Sequence, residues 1–343
     1  MNTLRRYAVP GGWTAALIIG LVVPFLVSDY DLLDLSRVLT LAMAVAGLNL
    51  LLGHSGQISV GHGAVFGLGG YVTLGTVTES GWPWVPAVLL SGAVCLVFGL
   101  LIGGLALKMG GANLGLLTIA VAAVFPLVII RLKSTTGGTF GLSLAHSGIQ
   151  PPPGTGLTPA QFGYVVCLLV LALTLVLLRN LVTGTSGRAL AAVRTSPLLA
   201  AANGVNVNRV KLTAFAVSSA VAGIGGALYA LAVAIAVPDS YQITLSITLL
   251  AAGVVGGSRT WAGAIVGAAI VVYLPTAAEN VVSGDSSGNW AQLVYAGGLI
   301  LCLILAPTGL VGGFTRLLGR FTSPSPTSSP SALDHLHIRK EVQ

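Results

Sequence analysis

Apolar stretches about as long as a bilayer crossing requires, roughly 20 residues, recur along this chain between short breaks rich in polar residues, glycine or proline. Ten candidate spans follow one another: 13–28, 36–52, 58–78, 85–107, 113–130, 160–178, 210–236, 242–257, 261–281 and 290–307. The third and eighth are the most interrupted by glycine and read as broken or re-entrant segments. The pattern predicts an all-α, polytopic transmembrane bundle of about 8–10 spans over residues 1–320, with one or two interrupted helices. Residues 321–343 carry the Ser/Pro-rich run SPSPTSSPSA and read as a disordered cytoplasmic tail. Pro24, Pro126, Pro275 and Pro307 fall in or near spans, where they mark kinks or hinges.

Composition removes the soluble alternative. Only 7% of the 343 residues are charged, against about 25% in an ordinary soluble domain, and mean hydropathy is +0.93. Charge also orients the bundle. With the N-terminus in the cytoplasm, thirteen Lys and Arg side chains fall in inner segments and only Arg37, Arg131 and Lys133 in outer ones. That positive-inside bias implies an even number of crossings with both termini cytoplasmic. The net charge of +7 is scattered among loops, so it does not read as a nucleic-acid surface. Arg5 and Arg6 before 13–27 resemble a signal peptide, but Val27-Ser28-Asp29 is no small-x-small cleavage site, so the segment reads as a retained first helix. Cys95, Cys167 and Cys302 stand alone in apolar runs, without metal or redox spacing, and read as small buried hydrophobes.

Against this background Asn49–Tyr71, NLLLGHSGQISVGHGAVFGLGGY, stands out. Asn49, His54, Ser55, Gln57, Ser59 and His62 lie between two membrane-helix patterns, with Gly53, Gly56, Gly61 and Gly63 as helix breaks. Polar groups and broken backbone at membrane depth are tolerated when buried in protein or lining a wet cavity. The expectation is an interrupted helix pair in which Asn49, His54, Gln57, Ser59 and His62 line a translocation path. Helix ends exposed by the glycines would attend a zwitterionic solute through their dipoles, without a fixed charge. His54 and His62 are eight residues apart across a break, poor metal spacing; capping the break and hydrogen bonding within the bundle suit them better.

Two loops carry further signals. The outer segment 131–159 contains a turn-rich stretch at 135–141 and the stiff Pro151-Pro152-Pro153 spacer, and reads either as a connector or as a docking or gating loop. The inner segment 179–211 holds five basic residues and no acidic one. Ser196 suits a helix N-cap, Pro197 the first helical position and Asn203-Gly204 a stop. They bracket a helix of about two turns, too short to stand alone in water. It either lies on its own protein or lipid surface or inserts into a partner's groove.

Several chemistries are missing from the sequence. It holds no GxxxxGK[ST] phosphate loop, no HExxH and no GxSxG. The chain therefore does not itself hydrolyse nucleotide and is not read as an enzyme, and no cofactor or metal is implied. Glu279, a lone boundary carboxylate, does not make a proton relay.

Four elements in order give a resemblance over about 36–315. They are Leu48–Gly53 with Gly56-Gln57-Ile58-Ser59 and Gly61-His62; Thr136-Gly137-Gly138 with Gly141-Leu142-Ser143; Gly187-Arg188-Ala189, Arg194, Ala200, Gly204–Val207, Lys211-Leu212, Ala214-Phe215 and Gly225–Tyr229; and Pro238, Ser240, Ser246-Ile247, Gly256-Gly257, Gly263 and Gly267-Ala268. Together they resemble the LivM-type permeases, membrane subunits of branched-chain amino acid ABC importers of the bacterial plasma membrane. The resemblance implies a LivH-like second permease, two cytoplasmic ABC ATPase subunits and an extracytoplasmic substrate-binding protein as partners, beside membrane lipid. It implies that the short inner helix is the coupling helix on an ATPase, with Gly187, Arg188, Arg194, Ser196, Pro197, Leu198, Leu199, Asn203 and Gly204 forming the coupling segment. Pro197 and Ala201 stand where the family commonly has glutamates, which implies a more apolar or less basic groove. The same fold could import urea, short amides or another small solute. A stand-alone channel or ion-coupled transporter, and a structural or sensory subunit without flux, are readings of other classes.

Overall fold

A computed structural model describes residue 14 and residues 16–108, 114–145, 148–281, 297–298 and 309–311, the side chains of 279–281 excepted. The predicted tenth span apart from 297–298, the tail 321–343 and the Glu279 side chain lie outside this description. The helices are α1 (Ala16–Phe25), α2 (Asp29–Asn49), α3 (His62–Ser80), α4 (Trp84–Lys108), α5 (Leu114–Arg131), the single turn α6 (Lys133–Thr136), α7 (Pro159–Thr183), α8 (Thr185–Thr195), α9 (Pro197–Ala202), α10 (Val207–Val233), α11 (Ile243–Gly256) and α12 (Trp261–Val281). α2 with its continuation to Ser55, α4, α5, α7, α10 and α12 are long and apolar enough to cross a membrane. The chain is an all-α, multi-pass membrane protein.

Local chemistry places the helix starts. α2 begins seven residues before the predicted 36 because Ser28 caps it, accepting from the Asp31 amide at 3.3 Å, and Asp29 and Asp31 sit in its first turn. α7 opens with a capping box. Thr158 accepts from the Gln161 amide, and the Gln161 side chain accepts from the Thr158 amide. The same two residues reach Pro24 O and Asp29, pinning the α1–α2 corner to the start of α7.

The centre is α10, packed against α2, α3 and α4. One turn of it, Gly223–Gly226, lies close against all three. A Cβ on Gly223 would collide with Cys95 of α4, one on Gly225 would lie 2.7 Å from Thr40 O of α2, and one on Gly226 would overlap the Phe66 backbone of α3. Small residues let helices approach this closely where burial from lipid supplies no driving force. α2 is the most enclosed long helix, 83% of its apolar window being buried against 28–33% for α4, α5, α7 and α12. The last four keep outward faces such as Leu89, Leu101, Leu116, Leu127, Leu173 and Leu177, the pattern of a lipid-facing belt.

Both long loops contain secondary structure. Residues 133–143 form α6, a 3-10 turn at Gly138–Phe140 and strand β1 (Leu142–Ser143), which pairs antiparallel with β2 (Ile235–Ala236) beyond α10. The inner segment 179–211 is almost wholly helical, shared among the end of α7, α8, α9 and the start of α10.

Candidate functional site

The predicted break lies between α2 and α3. After Asn49 the helix widens into a π turn, Leu50–Ser55, then reverses at Gly56, whose φ of 70° is left-handed. Three carbonyls at this ending find partners outside the regular helix pattern. Asn49 O meets His54 Nδ1 at 3.2 Å, Leu51 O accepts from the Gln57 amide and from Ser55 Oγ, each at 3.0 Å, and Gly53 O accepts from the Arg194 guanidinium. Gly53 must be glycine because a Cβ there would overlap the Ser258 carbonyl in the α11–α12 turn.

The start of α3 is satisfied from three neighbours. The Val60 amide donates to Thr118 Oγ1 of α5 at 3.1 Å, the Gly63 amide to Ser246 Oγ of α11 at 3.0 Å, and the Gly61 amide to Ser59 Oγ at 3.4 Å. In this conformation hydroxyls of the protein itself take the Gly63 amide in the first turn of α3 and the Val60 and Gly61 amides just before it, while the Ala64 amide donates to Gly61 O.

A buried chain of hydrogen bonds runs from there into the core. Ser59 Oγ lies 3.0 Å from His62 Nδ1, and His62 Nε2 lies 2.7 Å from Ser218 Oγ of α10, which donates to Gly47 O of α2 at 2.6 Å. Because the Ser218 proton goes to a carbonyl, its oxygen accepts from His62 Nε2–H, leaving Nδ1 to accept from Ser59. A neutral imidazole thus satisfies every link, and His62 joins α2, α3 and α10.

The other predicted path residues are placed apart. His54 stacks on Trp261 of α12, ring centroids 5.2 Å apart. Gln57 donates from Nε2 to Ser55 Oγ at 2.9 Å and to Lys211 O at 3.2 Å, and lines a small cleft with Gly103, Ala106, Leu107, Leu114 and Lys211. Asn49 is fully buried, and neither atom of its amide has a hydrogen-bond partner among the described residues. A Cβ on the facing Gly253 would come 2.9 Å from its Oδ1. Ser59 and His62 therefore belong to one network and Gln57 to another, while the Asn49 side chain joins neither. Thr118, Ser218 and Ser246 complete the site without having been singled out as site residues; only Ser246 carried a signal, through the resemblance.

The segment 179–211 folds compactly beside the break. A Cβ on Gly187 would overlap the Val182 carbonyl, so glycine permits the tight α7–α8 corner, while Arg188 is exposed. Ser196 ends α8 and caps α9, accepting from the Leu199 amide at 3.3 Å, with Pro197 opening the helix. Asn203 closes it through Nδ2 to Leu199 O at 2.7 Å, and Gly204 follows at φ 78°. Ala200 faces inward, whereas Leu198 and Leu199 are 84% and 66% exposed. Arg194, on α8, turns the other way, to Gly53 O. Desolvation, and next the nearby Arg259, push its pKa below the usual arginine value, though a guanidinium stays charged.

The family model described as "Branched-chain amino acid transport system / permease component" matches residues 34–304. The chain is 26% identical over 321 residues to the high-affinity branched-chain amino acid transport system permease protein LivM of Salmonella typhimurium, covering 87% of this chain and 73% of that one. It is 25% identical over 291 residues to the corresponding LivH permease of Escherichia coli, covering 80% and 91%. A probable LivH of Methanocaldococcus jannaschii is 30% identical over 169 residues, covering 47% of this chain and 50% of its own. No solved structure matches.

Proposed function

The chain belongs to the branched-chain amino acid transport system permease component family, and from that premise we propose that it is the membrane permease subunit of an ATP-binding-cassette importer. It moves branched-chain or related hydrophobic amino acids into the cytoplasm by alternating access. Its partners are a LivH-like permease, two cytoplasmic ATPase subunits that hydrolyse the nucleotide, and an extracytoplasmic binding protein. It sits in the bacterial plasma membrane with both termini inside.

The observation that carries this reading is α9. A six-residue helix is marginal on its own, yet it is capped at both ends and holds Leu198 and Leu199 out of the bundle. Exposed leucines on a stiff peg suit an apolar groove in a partner, in keeping with Pro197 and Ala201 at the commonly acidic positions. Taking a two-state equilibrium from 1:99 to 99:1 needs about 5.5 kcal/mol, and a capped helix transmits such a bias where a loose loop would not.

The path passes the α2–α3 break, with Asn49, His54, Gln57, Ser59 and His62 as its polar residues. Three neutral hydroxyls hold the Val60, Gly61 and Gly63 amides at and just before the start of α3. A substrate carboxylate would replace them with charge-assisted bonds, roughly twice as strong. Thr118 and Ser246 must then draw back, so α5 and α11 are the elements that part from α3. The orphaned Asn49 amide gains a partner in the same opening.

The test is reconstitution. Vesicles holding the complete complex accumulate labelled leucine with ATP and the loaded binding protein, and this chain alone accumulates none. Accumulation by the chain alone refutes an ATPase-driven importer. Urea or acetamide taken up in place of leucine replaces the cargo and keeps the class. Gln57→Ala and His62→Ala at matched membrane levels lower uptake; unchanged uptake removes them from the path.

A further inference from the structure

The Arg194 side chain bridges two parts of the chain whose roles differ. It stands on α8, two residues before the N-cap of α9, and its guanidinium donates to Gly53 O, at the end of the broken α2. Its stem lies over Gly56, where an added Cβ would meet Arg194 Cγ at 3.2 Å. A helix C-terminus carries partial negative charge on its free carbonyls, and a cation placed there is stabilised. Among the described residues the one ion pair is Arg37–Asp34, and the charged neighbour of Arg194 is another cation, Arg259. An arginine held beside a like charge, without a carboxylate, is held by the carbonyl.

We propose that Arg194 is the positioning residue that ties the cytoplasmic peg to the helix break, so that movement of α8–α9 is delivered to the end of α2. This rests on the importer reading and adds to it the point where the force arrives. Gln57, whose Nε2 donates to Lys211 O at 3.2 Å, ties the same turn to the start of α10. When α9 is displaced, Arg194 pulls on Gly53 O while Gln57 stays with α10, and the π turn between them takes up the difference. A π turn suits that position, because such turns occur mostly as single-turn widenings of an α-helix and frequently at functional sites.

The experiment compares wild type, Arg194→Ala and Arg194→Lys in the complete complex in vesicles. Three quantities are read: co-purification of the ATPases, ATP hydrolysis beside leucine uptake, and amide hydrogen exchange over 53–61. The Ala variant is expected to retain its ATPases and hydrolyse ATP within about twofold of wild type, while uptake falls about tenfold, the factor set by one lost charge-assisted bond. Exchange over 53–61 rises by a similar factor while α11 is unchanged, and Lys, which can still donate to the carbonyl, recovers most of both. Unchanged uptake, unchanged exchange, or loss of the ATPases with Arg194→Ala each overturns the proposal. A wild-type complex that accumulates no solute refutes the importer reading instead, and the exchange comparison then still decides whether Arg194 holds the break.

Discussion

Ser218 and Ser219 are neighbours on α10, both with 0% exposure, and their hydroxyls have opposite circumstances. Ser218 Oγ accepts from His62 and donates to Gly47 O. Ser219 Oγ is buried against α4 and has no hydrogen-bond partner among the described residues. Ser218→Ala removes one oxygen and strands the His62 Nε2–H in the core. A buried donor left unsatisfied costs about 1–3 kcal/mol. Ser219→Ala removes the same atom and strands nothing; deleting an unpaired buried hydroxyl is about neutral or mildly stabilising. At about 2 °C per kcal/mol for a chain this long, Ser218→Ala should lower the melting midpoint by about 2–6 °C and Ser219→Ala should leave it unchanged or raised.

Cys95 and Cys167 are free and buried, so a thiol-reactive fluorophore reports unfolding directly, best in a Cys302→Ser background that leaves those two thiols alone. The comparison is internal, since the helix, the burial and the deleted atom are the same. Equal shifts for the two variants, or a larger loss for Ser219→Ala, would refute the bond chain through His62. His62→Gln offers a check on direction, because a glutamine amide can donate to one serine and accept from the other, and it should fall between wild type and His62→Ala.

Three further outcomes follow from the packing. Gly226→Ala should cost more than about 3 kcal/mol and sharply reduce monodisperse protein by gel filtration, because its Cβ meets the Phe66 backbone, which no rotamer change can move; Gly104→Ala on α4, with nothing within 4 Å, should instead gain up to about 1 kcal/mol from helix propensity. The Tyr241 hydroxyl is buried without a partner among the described residues, and burial raises its pKa. Tyr241→Phe should therefore melt within about 2 °C of wild type, whereas Tyr241→Ala, emptying the space beside Phe66 and Tyr71, should cost about 3–5 kcal/mol. Leu198→Ser with Leu199→Ser should leave the melting midpoint unchanged, since surface changes stay within about 0.5 kcal/mol, while reducing ATPase co-purification.

The fold was legible because apolar length is the dominant signal for helices in lipid, where every backbone group must be satisfied within the segment. Boundaries slipped where charges diluted that signal. α2 starts at Asp29, inside a run whose three aspartates and Arg37 read as a loop, because a capped helix end accepts acids in its first turn. The inner segment 179–211 read as one loop because Arg179, Arg209 and Lys211 break the apolar runs, yet α7 extends to Thr183 and α10 begins at Val207. Long basic side chains let a helix run past the membrane edge while their heads reach water.

The break itself was legible for a different reason from its partners. Gly53, Gly56, Gly61 and Gly63 with six polar side chains form a cluster, and a cluster in an apolar chain is visible without knowing the fold. Thr118, Ser218 and Ser246 stand as hydroxyls in apolar helices, where the same residue type commonly bonds to its own helix, as Ser36 and Thr40 do here with Leu32 O and Ser36 O. Nothing local separates the two uses; only the packing of α5, α10 and α11 around α3 assigns these three to the break. Arg194 shows the same limit with the sign reversed. Among the basic residues of an inner loop it reads as topological charge, and its inward turn depends on a freed carbonyl 141 residues earlier in the chain. A broken membrane helix creates donors and acceptors that its own sequence cannot satisfy, so the residues that satisfy them are set by tertiary structure, and they are the ones through which distant segments can act on the break.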